Sequence, residues 1–197
     1  MKKLFLLLAV VFVALTANAQ LYQKPEKVGK FEIEPFYGLG FGYKYHGQCS
    51  DLAATTGVEL RGNISNSPWA IGGFLRFDAV SYNFKDYYVP EDAIMFDKRQ
   101  DNYIFSLGAV TEFNFRQGRK VNPFAGYSLG FSIYSTGDDG GFSHPYDTEG
   151  TSAIFIPRIG VELWGWVRFT AYTVLLRKGY NATGITIGVT FGGKRKN

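Results

Sequence analysis

Cysteine is almost absent from this 197-residue chain, with Cys49 alone. No intramolecular disulfide framework is therefore possible; Cys49 reads as a loop or partly covered thiol, with an intermolecular disulfide as the sharper alternative. Histidine is nearly as scarce, at His46 and His144 only, which leaves general-base catalysis little to draw on. Long apolar runs are missing too. The longest, Leu4 to Leu15, is about a dozen residues where a spanning helix needs roughly 20. A strong charge of one sign is also lacking: the formal net charge is +4, and Lys2, Lys3 and the tail Lys194-Arg195-Lys196 supply much of it. Nucleic-acid binding gets no support from so little clustered basic surface.

The apolar run instead reads as a secretory signal. Lys2 and Lys3 precede it and the small-x-small site Ala17-Asn18-Ala19 follows, so cleavage is expected between Ala19 and Gln20. A glutamine after the cut closes the lipoprotein route. The expected mature chain, about 178 residues, is long enough for one domain. Any membrane span in it must be made of strands.

What the chain has is aromatic residues and glycine: 18 Phe, 13 Tyr and 24 Gly. They fall in period-two alternation, read as eight strands. The first runs from Phe31 to Tyr45, with Phe31, Ile33, Tyr37, Leu39 and Phe41 on one face and Glu32, Glu34, Gly38, Gly40, Gly42 and Lys44 on the other. The second spans about Thr55 to Ile64 and the third about Trp69 to Ser81, with Phe74 an exception on the polar side. The fourth covers Tyr103 to Phe115, the fifth is centred on Gly126 to Ile133, and the sixth runs around Ile154 to Leu163, where Ile154 and Ile156 interrupt the polar face. The seventh covers Val167 to Leu175 and the eighth Gly184 to Phe191. Pro35 and Pro157 fall inside these segments, where each lacks a ladder donor, so strand ends or bulges are expected there.

Short links at Ser65 to Pro68, Gln117 to Lys120 and near Gly165 would share one end. Longer links, Phe84 to Asp101 and Ser135 to Gly150, would share the other with those around Cys49 and Lys178-Gly179. That alternation suits an outer-membrane barrel with short periplasmic turns, and an even strand number returns both termini to the periplasmic side.

A soluble barrel alternates as well, with its apolar face inward. Volume separates the two readings. Eight strands enclose a space just wide enough for side chains to fill, and the aromatic face would overfill it, whereas the glycine-rich face fits. An aromatic belt facing water is a liability; facing lipid it is expected. A one-residue slip would expose Arg61, Arg76, Arg158 and Arg168 to lipid together, at a cost on the order of 10 kcal/mol. Those cations and Lys44 share the interior parity with Glu32, Glu34, Glu59, Asp78, Glu112 and Glu162, a near balance of sign that suits a paired lumen network. Trp69, Trp164 and Trp166 near the short-turn end, and Tyr43, Tyr45 and Tyr103 near the long-loop end, read as two interfacial aromatic girdles.

On these residues the mature chain resembles the small outer-membrane β-barrel proteins, the group that includes the OmpA transmembrane domain and OmpX. The closing segment Gly184 to Phe191 is similar to the C-terminal insertion signal of that group, with Val189 two before the final aromatic, although Thr186 stands where a glycine is expected and Gly192 to Asn197 follow. The resemblance implies an all-β, eight-stranded antiparallel up-and-down transmembrane barrel. It also implies insertion by the barrel-assembly machinery and contact with outer-membrane lipids and lipopolysaccharide. It transfers no single activity, since one fold serves many functions.

Chemistry is thin beside this architecture. His46 with Ser50, or His144 with Ser143, could be offered as hydrolase pairs, but neither has an orienting acid at a diagnostic spacing. The acidic loop Asp138-Asp139-Gly140-Gly141 with Asp147 and Glu149 lacks an EF-hand order of ligands and reads as solvated. No cofactor or metal is expected. Two function classes remain: a non-catalytic envelope protein presenting outer loops, and a narrow conduit for ions or small solutes. The first is favoured, because eight strands leave a filled interior.

Overall fold

The computed structural model describes residues 29–42, 52–65, 67–89, 94–136, 149–176 and 181–192. Eight antiparallel strands follow one another in chain order: β1 (Phe31–Gly42), β2 (Leu52–Asn63), β3 (Trp69–Val89), β4 (Ile94–Asn114), β5 (Val121–Thr136), β6 (Glu149–Leu163), β7 (Val167–Val174) and β8 (Ala182–Val189). Each pairs with the next, and β8 pairs with β1 to close the barrel. The expected up-and-down architecture is thus the observed one. Closure leaves the barrel body with no free edge, so every strand there has two neighbours to satisfy its backbone.

Three short turns, 64–68, 115–120 and 164–166, lie at one end together with the start of β1 and the end of β8. The last of these is tight. Trp166 N–H donates to the Leu163 carbonyl at 3.1 Å, and Trp164 and Gly165 take φ of 54° and 72°, the left-handed pair of a type I′ hairpin turn.

The sequence pattern departs from the observed elements in two places. The stretch Phe84 to Asp101, expected as a long link, is mostly strand. β3 and β4 each run 21 residues and pair out to Val89↔Ile94, with one register shift between Phe84 and Tyr87. Their Tyr, Phe, Val and Ile content has high strand propensity, and two strands can continue as a ribbon past the rim. A membrane strand needs only about 9–11 residues, so this hairpin outreaches the barrel body.

The prolines are the second departure. Pro35 and Pro157 sit mid-strand without a bulge, in register with Val58 and Tyr127. Each instead opens a gap in the ladder on its other side. Pairing of β1 with β8 stops at Phe36↔Gly188 and resumes only at the bridge Ile33↔Phe191. Pairing of β6 with β7 stops at Arg158↔Tyr172 and resumes at Phe155↔Leu175. Ile33 and Phe155 exchange both backbone bonds with those partners, so the residues two further on, Pro35 and Pro157, turn toward the same neighbours with no N–H to give.

Burial alternates along every described strand of the body, as in β1, where exposed and buried residues strictly alternate. The exposed set is aromatic and aliphatic, including Phe31 at 70%, Phe131 at 65% and Ile185 at 67%. The charged residues on the inward parity of the barrel body, in contrast, are enclosed. Arg61 is 1% exposed and Glu112 fully buried.

Five inward aromatics stand directly across from a glycine on the neighbouring strand: Phe36↔Gly57, Phe74↔Gly108, Phe124↔Gly160, Tyr134↔Gly150 and Tyr172↔Gly184. The rings of Phe36 and Phe124 lie over Gly57 and Gly160 so closely that a Cβ there would come within 3.0 and 2.8 Å of their Cε1 atoms. Glycine opposite each ring is how so narrow a barrel admits aromatics at all.

Candidate functional site

The interior has two layers. Toward the long-hairpin end it is apolar: Ala53, Phe74, Val80, Val110, Ile154, Ile156, Tyr172, Val174 and Ala182 form one buried cluster, with Ile104 and Tyr134 beside it. The sequence exceptions Phe74, Ile154 and Ile156 belong here. They turn inward because strand alternation sends them there, and they join the apolar cluster at its border with the charged residues, Phe74 standing across from Glu59.

Toward the short-turn end the interior is ionic. Glu34 and Glu59 sit directly opposite on β1 and β2, a like-charged pair that is unfavourable unless bridged. Arg61 bridges it, with Nη1 donating to Glu34 Oε2 at 2.5 Å and to Glu59 Oε2 at 2.9 Å, while Nη2 reaches Glu32 at 3.2 Å. Arg158 joins Glu59 to Glu112, the latter at 2.5 Å. Arg168 gives both Glu112 oxygens a bond at 2.9 and 2.8 Å, meets Glu34 at 3.1 Å and Glu162 at 3.2 Å, and stacks over Phe124 at 3.8 Å. Five carboxylates thus surround three guanidiniums, and Glu112 touches all three, with Arg61 Nε at 3.7 Å.

Arg76 and Asp78 form a separate group between the two layers. The guanidinium grips both Asp78 oxygens at 2.7 Å and lies 3.9 Å over the Tyr172 ring. Thr55, across from Asp78 in the register, donates to it and accepts from Arg76 and from the Tyr172 hydroxyl, both at 3.1 Å. Below the ionic layer, side-chain amides close the short-turn end. Asn63 donates to Glu32 at 2.6 Å, Gln117 to Asn63 at 2.9 Å, and Asn122 to Asn114 at 2.9 Å. The alternation puts Tyr172 and Asn114 on the inward parity but does not show their partners or the part played by Thr55, Asn63, Gln117 and Asn122. Only the register could, since Thr55↔Asp78 and Asn114 near Asn122 are cross-strand relations.

Between the layers lies a cavity of about 20 Å³ bordered by Glu34, Glu59, Arg76, Arg158 and Tyr172, room for about one water.

The tryptophans Trp69, Trp164 and Trp166 lie at the short-turn end and are exposed. Tyr103 is exposed at the opposite rim, stacked on Phe77 at 6.1 Å. Lys44, Tyr43, Tyr45, Cys49, the pairs His46/Ser50 and Ser143/His144, the acidic loop from Asp138 to Asp147 and the Ala19–Gln20 junction all lie outside the described residues. Glu149 opens β6. As to what this interior can do, groups ion-paired with one another beside a one-water cavity are arranged to fill space and fix register, although the Nε atoms of Arg61, Arg158 and Arg168 are buried without a hydrogen-bond partner.

Comparison with known proteins bears on the fold. No family model matches the chain, and no curated protein matches it either. Among solved structures, it is similar to neisserial surface protein A (TM-score 0.51, 18% identity, covering 85% of this chain and 99% of that one). The others include the attachment invasion locus protein Ail of Yersinia pestis in complex with the heparin analogue sucrose octasulfate (0.48, 16% identity, 84% and 100%). The N-terminal β-barrel domain of Pseudomonas aeruginosa OprF is a third (0.42, 11% identity, 84% and 100%). At these identities the likeness speaks for the fold alone. In fold, then, the chain is similar to the small eight-stranded outer-membrane barrels, in keeping with its alternation and closing strand.

Proposed function

We propose that the protein is an integral outer-membrane barrel that anchors through its aromatic belt, closes its own lumen, and serves a structural or surface-contact role in the envelope of a Gram-negative-type bacterium. One observation carries the reading: the polarity of the barrel is inverted, with Arg61, Arg168 and Glu112 enclosed while Phe31, Phe131 and Ile185 face outward. A water-soluble barrel would be destabilised on both counts. Large exposed apolar area favours association or a lipid surface, and lipid supplies that surface around the whole circumference.

In this reading a signal peptide ending at Ala19 directs export, and the barrel-assembly machinery inserts the mature chain. Both termini and the short turns lie on the periplasmic side. The long β3–β4 hairpin and the links beside it project outward among lipopolysaccharide, where they are placed to meet surfaces or partners. The role is non-catalytic. A conduit is disfavoured by the ionic layer, the apolar layer and the small cavity between them.

Fractionation with single-channel recording tests the proposal. The refolded protein should migrate in a heat-modifiable way, partition with outer membranes and show no steady conductance. Recovery as a detergent-free soluble protein would overturn the membrane reading, and a steady ion-selective pore would overturn the closed lumen.

A further inference from the structure

The outer surface is not evenly round. Across β5 to β8 and onto β1 it is indented by a groove of about 830 Å³, almost wholly apolar. The register explains the shape. One row of outward residues runs Ala125, Ile159, Ala171, Ile185, Leu39 from strand to strand, and the two alanines lower the floor where other rows carry Phe or Tyr. Phe115 and Tyr37 border the groove at its two sides.

This groove opens toward the short-turn end, and the corner it meets there is basic. Val121, which lines it, directly follows Arg119 and Lys120, both exposed, with the partly exposed Arg116 in the same turn. The described residues of the short turns, 64–68, 115–120 and 164–166, contain no Asp or Glu. Among the described residues, Glu32 and Glu162 near this end are buried inside the barrel.

The neighbouring turn adds aromatic surface. Trp164 N–H donates to the Lys120 carbonyl at 2.6 Å, which ties the two turns together. Trp164 is 62% exposed and holds φ of 54°, a backbone region unfavourable for a bulky side chain. A glycine or asparagine would suit the turn better. Trp166 is exposed beside it.

We propose that this corner is a binding site for an anionic phospholipid, its phosphate against Arg119 and Lys120, its glycerol region beside Trp164 and Trp166, and an acyl chain laid along the groove over Ala125 and Ala171. The inference rests on the membrane reading above and adds a lipid class to it. Charge complementarity selects the headgroup: exposed basic residues at a membrane surface attract anionic lipid. Continuity selects a lipid over a free anion, because the apolar groove begins where the basic turn ends. Tryptophan at the interface suits the same occupant.

The test uses the full chain with Trp69→Phe, refolded into phosphatidylcholine vesicles doped with brominated phosphatidylglycerol or, at the same mole fraction, brominated phosphatidylcholine. Bromine quenches nearby indoles, so emission reports which lipid sits at Trp164 and Trp166. Quenching should be several-fold stronger with the anionic lipid, should fall toward the phosphatidylcholine level in high salt, and should lose its preference in Arg119→Gln/Lys120→Gln. Ala171→Phe, which fills the groove and leaves the rim intact, should weaken the preference as well. Equal quenching by both lipids in a barrel with heat-modifiable migration would overturn the site and leave the membrane reading standing; failure to insert would overturn both. A preference that survives the double variant would place the headgroup elsewhere and overturn the site. Disulfide-linked dimers through Ala171→Cys in a Cys49→Ser background would put a second chain in the groove and overturn the lipid site too.

Discussion

Glu34 and Glu59 face each other across β1 and β2, and Arg61 holds one oxygen of each through a single nitrogen, at 2.5 and 2.9 Å. Arg158 on Glu59 and Arg168 on Glu34 help, but Arg61 is the one guanidinium among the described residues that holds both, so it carries more of the interior than either acid. Replacing it with Met keeps the volume and removes the bridge. Arg61→Met should lose about 3–5 kcal/mol, the usual consequence of breaking a buried pair. Adding Glu34→Gln should restore part of that loss, since one of the opposed charges goes. Urea titration in detergent micelles checks both. Additive losses in the double variant would mean the two residues do not act through each other.

The same layer predicts unequal carboxylates. Glu112 touches Arg61, Arg158 and Arg168, whereas Glu32 has Arg61 and Asn63. With five acids around three guanidiniums, removal of a peripheral charge is cushioned and removal of the central one is not. Glu112→Gln should therefore cost about 3 kcal/mol or more and Glu32→Gln about 1 kcal/mol. The temperature at which the heat-modifiable form converts on gels should fall further for the first. Equal shifts would refute the central place given to Glu112.

Phe124 and Gly160 make a volume prediction. A methyl at Gly160 would meet the Phe124 ring and the Phe169 carbonyl, and overpacking of this kind costs typically about 1–3 kcal/mol. Gly160→Ala alone should destabilise the barrel. Phe124→Leu in the same chain relieves the ring clash and leaves the carbonyl clash, so recovery should be partial. Denaturant midpoints of the single and double variants decide it.

Pro157 offers the opposite sign. It leaves β6 without a donor where the ladder to β7 is broken. Pro157→Thr returns an N–H to a threonine-tolerant strand position. The new amide at 157 should then be protected, and hydrogen exchange should slow at Thr173, the residue across the gap in the β6–β7 register. Unchanged exchange would mean the gap has another cause.

Strand number, the order of the short turns and the inward parity of the charged residues could be read from the sequence, because a period of two projects directly onto two faces. Phe74, Ile154 and Ile156 broke that pattern and were legible only as exceptions; the partner that makes Phe74 acceptable, Gly108, stands opposite it on another strand. Which arginine meets which glutamate could not be read either, since Arg158 and Glu59 are 99 residues apart and meet only once shear and closure are set. The extent of β3 and β4 was hidden for a different reason. Past the rim the ribbon leaves the environment that imposes alternation, so charge within 85–101 looked like a loop.

The most direct test of the central claim, an apolar belt in lipid around a closed polar and apolar interior, is residue-by-residue labelling of adjacent positions. In a Cys49→Ser background, cysteines at Ser106, Leu107, Ser128 and Leu129 sample both parities, since Ser106 and Ser128 are buried, where Ser→Cys changes little volume, and Leu107 and Leu129 are exposed. A lipid-soluble thiol probe applied to the vesicle-inserted protein should label Leu107→Cys and Leu129→Cys and spare Ser106→Cys and Ser128→Cys. Labelling of the serine positions in place of the leucines, or reaction of the leucine positions with a charged, membrane-impermeant reagent, would contradict the account.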